Sequence, residues 1–335
     1  MALTPIDKIH ALQIQAGTLG RKTGHEFEDA ITQKINALQY PLDLNRIVSR
    51  HVFRGDPALL LIVYIAIQRG YSRILKASAI STGALATSEA GRQWLMINGA
   101  NVSRCKSDLV ITFSCAEEHS ETVGVSTKQC NTKTPTNAQL YFTTARGFSA
   151  LLQNNGLSVS DNAVTALRQF CGDSGFRPCD ILGDLSSRLI DPRRFFWEEI
   201  EPAGRKEWEH ILSVYQDEVS RLLLQKAYIN DPFVPDFLLH KTKNATSWEQ
   251  TEVAIYSIEE LLALSRQYQG FATKPYSVRK GSYRDPTGVT HLAPRFGIIQ
   301  MQRGGQKQHP EQLQFNLEAG YFYKIEDIIT DMPAD

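Results

Sequence analysis

Residues Asp108–Gln129 read DLVITFSCAEEHSETVGVSTKQ. Two segments rich in β-branched residues, DLVITFS and TVGVSTKQ, are separated by the polar segment CAEEHSE, and this pattern predicts two antiparallel strands joined by a turn. With the turn centred near residue 118, Asp108 lies opposite Lys128, and opposite residues have Cβ atoms about 4.5–5.5 Å apart. Ser126 shares the face of Lys128, because side chains alternate along a strand. The hairpin is therefore predicted to bring a carboxylate and an ammonium group together.

An acid beside a lysine on paired strands has a chemical use. The carboxylate can hold Mg²⁺ through its oxygens. The ammonium can orient a water molecule or stabilise charge that develops on a phosphate oxygen. Asp–Lys pairs are also common as ordinary, partly exposed ion pairs on hairpins, and the pair alone does not separate these two interpretations.

An amphipathic helix is predicted upstream, over Gly24–Leu38, because apolar residues recur there at helical spacing. Glu28 lies at the border of that apolar stripe, next to Phe27. A carboxylate at the edge of a packed helix can point into a site on an adjoining sheet. The alternative is a surface acid in the first helical turn, where the helix dipole stabilises it.

Taken together, Gly24-x-x-Phe27-Glu28, Asp108 and Ser126-x-Lys128 resemble the PD-(D/E)xK nucleases, and among them type II restriction endonucleases. The resemblance covers roughly residues 24 to 130. It implies an α/β fold with a mixed central sheet flanked by helices.

The resemblance also implies roles for individual residues. Asp108, Glu28 and the backbone carbonyl of Thr127 would be ligands of Mg²⁺. Lys128 would orient or activate the attacking water, and Ser126 occupies the position of the second acid of the motif.

Two positions depart from the family pattern. Ser107 precedes Asp108 where the motif has proline, and Ser126 replaces a carboxylate with a hydroxyl, which is a poorer Mg²⁺ ligand. Glu28 or, less favourably, Glu121 can supply the missing acid. Without a substitute the site would be inactive. The alternatives to a restriction enzyme are therefore a structure-specific or repair nuclease with the same core, and a non-catalytic DNA-binding protein.

Residues 271–310 carry seven lysines and arginines against one acid, in a chain whose 36 basic and 36 acidic residues cancel. Basic side chains neutralise phosphates, and arginine and glutamine can also contact base edges. The segment contains a predicted strand, Arg295–Gln302, followed by a loop, Arg303–Pro310. The candidate DNA-binding residues here are Arg279, Lys280, Arg284, Arg295, Arg303, Gln306 and Lys307. The alternative is a solvated basic face.

A second polar, basic segment follows the hairpin and contains Lys133, with Arg146 further along the chain. These residues are candidates for contact with the scissile phosphate or nearby bases. An ordinary loop with Asn and Thr turns is the alternative.

Composition narrows the class of protein. The chain has 335 residues, of which 42% are hydrophobic and 21% charged, so it is a globular protein with enough length for a sizeable core. The five cysteines form no CxxC pair, which argues against a zinc knuckle and for a reducing, cytoplasmic location. The apolar run Ala58–Ile67 is too short to span a bilayer, so no membrane association is expected. No phosphate-binding glycine motif is present, so no nucleotide cofactor is expected.

The expected partner is double-stranded DNA, and a palindromic target would favour a homodimer. The expected division of the chain is a nuclease core over residues 1–230 and a DNA-recognition region over 231–335, because prolines cluster near Asp231.

Overall fold

The computed structural model describes residues 8–44, 51–82, 95–97, 100–102, 105–115, 120–182, 184–185, 192–226, 231–277, 279–280, 283–284, 288, 290–303, 312–322 and 330–331. Within them the helices are α1 Lys8–Ala37, α2 Pro57–Gln68, α3 Ala145–Gln153, α4 Asp161–Cys171, α5 Pro178–Ile181, α6 Pro202–Val214, α7 Gln216–Gln225, α8 Ile258–Arg266 and α9 Ala319–Phe322, with a 3-10 turn at Trp197–Glu199.

The strands are β1 Leu42–Asp43, β2 Val52–Arg54, β3 Arg73–Ser81, β4 Leu95–Ile97, β5 Ala100–Val102, β6 Leu109–Cys115, β7 Ser120–Gln129, β8 Ala138–Thr144, β9 Phe237–Lys241, β10 Glu252–Ser257, β11 Phe271–Tyr276, β12 Arg279–Lys280, β13 Tyr283–Arg284, β14 His291–Phe296, β15 Ile299–Arg303, β16 Gln312–Leu317 and β17 Thr330–Asp331.

The chain forms two compact units, each assembled from three segments. One, which we call the first unit, comprises Thr18–Ala138, Leu224–Leu261 and Ala319–Asp335. The other, which we call the second unit, comprises Met1–Gly17, Gln139–Leu223 and Leu262–Glu318. Each unit combines segments from both sides of residue 231, and the expected division of the chain at that position stays a prediction.

The first unit contains, over the residues that the structure describes, an eight-stranded sheet in the order β1-β3-β6-β7-β9-β10-β2-β17. The β7–β9 and β2–β17 pairs are parallel, and the remaining assigned pairs are antiparallel, so the sheet is mixed. Helices α1 and α2 pack on one face, and the short helix α9 contacts the other through Tyr256 and Phe322. The predicted mixed α/β fold, with helices flanking a central sheet, is confirmed.

Helix α1 includes nearly all of the predicted segment Gly24–Leu38 but begins sixteen residues earlier, at Lys8, and α2 contains the apolar run Ala58–Ile67. In α1, Phe27, Ile31 and Ile35 are buried against the sheet. Helix α2 begins at Pro57, whose missing N–H costs nothing at a helix start. Before it, the Asp56 carboxylate accepts a 2.8 Å hydrogen bond from the Ala58 amide, which caps the helix. No helix within the described residues is both long and apolar enough to span a membrane.

The β6–β7 hairpin is present, but its register differs from the expected one. Leu109 pairs with Val125 and Ser114 with Ser120, so the pairing is centred on residue 117 rather than 118. A shift of one residue in the centre moves each pairing by two positions. Asp108 therefore lies next to the Ser126–Thr127 end of β7 instead of directly opposite Lys128.

The second unit contains a five-stranded sheet, counted over the described residues, in the order β11-β14-β15-β16-β8. Phe148 of α3 packs between Trp208 and Phe315, with ring centroids 5.5 and 4.5 Å away. The prediction of one strand over Arg295–Gln302 is wrong. Gly297 adopts a left-handed conformation with φ +53°, which permits a tight turn that divides the segment between β14 and β15.

Candidate active site

Asp108 lies immediately before β6, where the ladder between β6 and β7 ends. Its backbone N–H still donates to the Val125 carbonyl at 2.9 Å. Beyond that point the Asp108 carboxylate, rather than a strand carbonyl, accepts hydrogen bonds from β7. Oδ2 accepts a 2.7 Å hydrogen bond from the Thr127 amide and a 3.2 Å hydrogen bond from the Ser126 hydroxyl. Two donors therefore fix the position of this carboxylate.

Lys128 is held beside the same carboxylate. Its Nζ donates to the Thr127 carbonyl at 2.7 Å and to the Ser126 hydroxyl at 2.8 Å, and it lies 3.6 Å from Oδ2 of Asp108. The ammonium is half-buried and has a fixed direction. The predicted proximity of Asp108 and Lys128 is thus present, although the length of the lysine side chain produces it rather than a cross-strand pairing.

Glu28 reaches the site from α1 and is only 7% exposed. The Thr127 hydroxyl donates to its Oε1 at 3.0 Å, and Nδ1 of His25 lies 3.2 Å from its Oε2. Burial, and secondarily the negative charge of Asp108, raise the pKa of Glu28 to about 7. The hydrogen bonds from Thr127 and His25 oppose that rise. Near neutral pH this carboxyl can therefore take up or release a proton.

Thr127 connects the two faces of β7. Its side chain points toward α1, the face on which Val123 and Val125 join the core, and Ser126 and Lys128 alternate to the other face. Its backbone N–H points to Asp108. One residue thus contacts both carboxylates, through its hydroxyl and through its amide.

Glu121, the other acid considered as a replacement for the motif acid, is engaged elsewhere. Oε1 is 3.1 Å from Nε of Arg69, and Oε2 accepts a hydrogen bond from the Tyr71 hydroxyl. Glu121 also lies at the start of β7, whereas Asp108 contacts residues near its end. Of the two candidate acids, Glu28 is the one that contacts the site.

The oxygen atoms around Thr127 match the ligands that Mg²⁺ prefers. Mg²⁺ typically binds one or two protein carboxylates and keeps several waters. Asp108 and Glu28 supply two carboxylates, and the Thr127 carbonyl, which accepts one hydrogen bond, retains a second lone pair. After burial, the negative charge of Asp108 is the second cause of the raised pKa of Glu28, and a cation would relieve that repulsion. No cluster of three or more His, Cys, Asp and Glu side chains occurs among the described residues, so the remaining ligands would be water.

Lys106, two residues before Asp108, was not predicted. It is half-buried, and burial together with the positive charge of Lys128 lowers its pKa to about 7, against the opposing effects of Asp108 and Asp231. In the sequence, the one feature that could have drawn attention to Lys106 was a basic residue two positions before Asp108. The Lys106 amide donates a 2.6 Å hydrogen bond to Oδ2 of Asp231, which lies 125 positions away in the sequence and so was not related to Lys106 by any local pattern.

His240 pairs with Lys128 across the parallel β7–β9 ladder. It is 1% exposed, and burial, followed by the Lys128 charge, lowers its pKa to about 3. A neutral imidazole therefore lies beside the ammonium. The imidazole is thus part of the buried interior of its unit and not of the surface.

The predicted DNA-binding residues lie in several places. Lys133 and Arg146 are exposed. Arg295 lies 3.9 Å from buried Glu318, and the Arg303 guanidinium lies 4.6 Å from the ring centroid of Phe196. Backbone pairing joins β12 and β13, which contain Arg279, Lys280 and Arg284, but their side chains lie outside the described part of the chain, as do Gln306 and Lys307. DNA binding by this set stays a prediction.

No protein-family model and no curated protein matches the chain. Among solved structures, the chain is similar to the restriction endonuclease MspI in complex with its cognate DNA. The identity is 15% and the TM-score 0.40, and the match covers 72% of this chain and 71% of that one.

Proposed function

We propose that this protein is a Mg²⁺-dependent endonuclease that hydrolyses phosphodiester bonds of double-stranded DNA at a specific sequence. The observation that carries the proposal is the grouping of Asp108, Glu28 and Lys128 around Thr127. Two carboxylates and one ammonium can hold a metal ion and stabilise the charge that develops during hydrolysis of a phosphodiester. Ser126 leaves the motif one acid short, and Glu28 supplies that acid from α1.

The role of each residue follows from its contacts. Lys128, fixed by the Thr127 carbonyl and the Ser126 hydroxyl, orients the attacking water and stabilises negative charge on the phosphoryl oxygen. Glu28, with a pKa of about 7, accepts a proton at Oε. Asp108 keeps a carboxylate oxygen 3.6 Å from Nζ of Lys128. Attack by the water oxygen forms a new P–O bond and breaks one P–O ester bond, while a water proton passes to Glu28. The leaving oxygen takes up a proton from solvent, so that a phosphate end and a hydroxyl end remain.

The metal would be held by Asp108, Glu28 and the Thr127 carbonyl. When bound, Mg²⁺ would acidify a coordinated water and polarise the phosphoryl group.

Sequence specificity, the homodimer and a cytoplasmic location are further parts of the proposal. Specificity is supported by the local excess of basic residues and glutamines over residues 271–310. Two copies related by a twofold axis would place one active site on each strand of a palindromic target.

The first test is incubation of the purified chain with unmethylated phage DNA, in Mg²⁺ and in EDTA, followed by gel electrophoresis. We expect discrete fragments in Mg²⁺ only. Asp108→Asn and Lys128→Met should lower the cleavage rate by at least about a hundredfold while binding in EDTA is retained.

Asp236→Asn is a matched control for Asp108→Asn. Asp236 lies in the same unit and accepts a 2.9 Å hydrogen bond from the Gly124 amide, as Asp108 does from Thr127. The Asp236→Asn variant should cleave DNA at the wild-type rate.

Cleavage that depends on ends, flaps or lesions would favour a repair nuclease. Intact DNA in both conditions, with binding retained, would favour the non-catalytic DNA-binding protein that Ser126 allows.

A further inference from the structure

Strands β7 and β9 run parallel, so their carboxyl ends lie at the same edge of the sheet. In the last pair of the ladder, Gln129 lies opposite Lys241. Beyond it the two segments continue side by side. The Cys130 amide donates to the Lys241 carbonyl at 2.8 Å, and the Asn244 amide donates to the Thr132 carbonyl at 2.8 Å. The residues that follow the two strands therefore form one continuous edge.

This edge is basic. Residues 128–137 and 240–247 contain four lysines and no acid. Lys128 is held by the Thr127 carbonyl, and the Lys243 ammonium pairs with Glu252 at 2.7 Å. Lys241 differs from both, because no carboxylate among the residues that the structure describes forms an ion pair with its ammonium.

The Lys241 ammonium has a defined position beside α1. His240 pairs with Lys128, so Lys241, the next residue, projects from the other face of the sheet. Its Nζ lies 5.8 Å from the ring centroid of Phe27, the residue before Glu28. An aromatic face attracts a cation and so helps to hold it in place. Lys241 is half-buried, which leaves it partly desolvated and still open to a ligand.

An ammonium that no carboxylate neutralises can bind an anion. A nucleic-acid strand whose scissile phosphate lies at the proposed metal site brings its other phosphates against the surrounding surface, and lysine binds phosphate as a point charge. Lys128 and Lys241 leave the ladder from opposite faces. The two ammonium groups would therefore meet different phosphates.

We propose that Lys241 binds a backbone phosphate of the DNA next to the scissile one. The inference rests on the proposed function, because it requires a polyanionic nucleic-acid substrate. Lys241 acts on binding and alignment of the DNA, and the bond-breaking step is left to Asp108, Glu28 and Lys128.

The test measures binding of a labelled double-stranded oligonucleotide in EDTA, over a range of salt concentrations. Each phosphate contact to duplex DNA contributes about 0.9 to the slope of log K against log[salt]. We expect Lys241→Met, which keeps the aliphatic stem, to lower the magnitude of the slope by about this amount. Affinity at low salt should fall about tenfold, and Lys241→Arg should retain both values.

Lys76→Met is the matched control. Lys76 is exposed on β3 and pairs with Ser114, at the end of β6 that lies away from Asp108. This variant removes one positive charge from the same unit, and it should leave the slope unchanged. Thermal unfolding shows whether each variant is folded. Lys241→Gln is a second neutral variant, with the same expected slope, if Lys241→Met does not fold.

The outcomes separate the two proposals. Wild-type protein that binds and cleaves DNA, with an unchanged slope in a folded neutral variant, would overturn the role of Lys241 alone. A lower melting temperature with that unchanged slope would show that Lys241 only packs against Phe27. Equal loss of slope in Lys241→Met and Lys241→Arg would also overturn the role, because the charge would then not matter. Wild-type protein that neither binds nor cleaves DNA would overturn the proposed function, and this inference with it.

Discussion

The Thr127 hydroxyl donates a 3.0 Å hydrogen bond to Oε1 of Glu28, across 99 positions of sequence. This contact joins helix α1 to strand β7 at the point where the Thr127 amide holds Asp108. Because the hydroxyl stabilises the charged form of Glu28, it directly affects the protonation of this buried acid.

Thr127→Val removes that donor with little change of volume. We expect the pKa of Glu28, already about 7, to rise further, because a hydrogen bond that lowers it is lost. Carboxyl resonances followed by carbon-13 NMR during a pH titration give the value without any activity assay. Thr112→Val is the control, since its hydroxyl contacts Thr122 at 3.0 Å on β6 and β7, away from Glu28. An unchanged Glu28 titration in Thr127→Val would contradict the prediction.

Glu28 also makes stability depend on pH. Its folded-state pKa of about 7 lies above the ordinary value of 4.5, so between these values the folded state binds more protons than the unfolded state. The free energy of unfolding therefore falls as pH rises through this window, by about 3 kcal/mol in total. Glu28→Gln should remove this fall.

Urea unfolding in EDTA, near pH 5 and near pH 8, measures the effect. Glu28→Gln should exceed the wild type in stability at the higher pH and lose that advantage at the lower one. Added Mg²⁺ should stabilise the wild type more than Glu28→Gln, because a metal that binds the folded state raises the free energy of unfolding. Parallel pH profiles for the two proteins would show that the Glu28 carboxyl titrates normally.

His240 makes the free energy of unfolding depend on pH in the direction opposite to that of Glu28. Its folded-state pKa of about 3 lies below the ordinary 6.5, so below 6.5 the unfolded state takes up a proton that the folded state does not. Stability is lost as pH falls, by roughly 2–3 kcal/mol between neutral pH and about pH 4.5. His240→Gln should flatten this part of the pH profile. Exposed His210→Gln is the control and should retain the wild-type slope.

Gly124 lies where two chain segments pass close together. A Cβ at this position would be 2.6 Å from the Val234 carbonyl oxygen and would also overlap the Ser107 hydroxyl. Gly124→Ala should therefore destabilise the protein by about 1–3 kcal/mol, and the displacement of Ser107 should also reduce DNA cleavage. Gly320→Ala has no atom within 4 Å of its Cβ and serves as the control in thermal unfolding. Equal melting temperatures for both variants would be evidence against the close packing at Gly124.

The sequence by itself determined the elements and residue types of the site. The alternation of apolar residues specified β6 and β7, and helical spacing specified α1 with Glu28 at the edge of its buried stripe. These patterns are local, because the direction of each side chain follows from the repeat of its own strand or helix. Asp108, Ser126 and Lys128 could be placed near one another for that reason.

Tertiary structure decided the rest, because it depends on pairs of residues that no local pattern relates. The hairpin register is centred on residue 117 rather than 118, so the reach of Lys128 replaces a cross-strand pairing. Strand β9, more than a hundred residues later, pairs with β7 and buries His240 beside Lys128. Asp231 fixes the amide of Lys106 from a similar distance in sequence. Such contacts are selected by the packing of the whole sheet, so only the folded chain could show that Thr127 holds Glu28 and that His240 is buried beside Lys128.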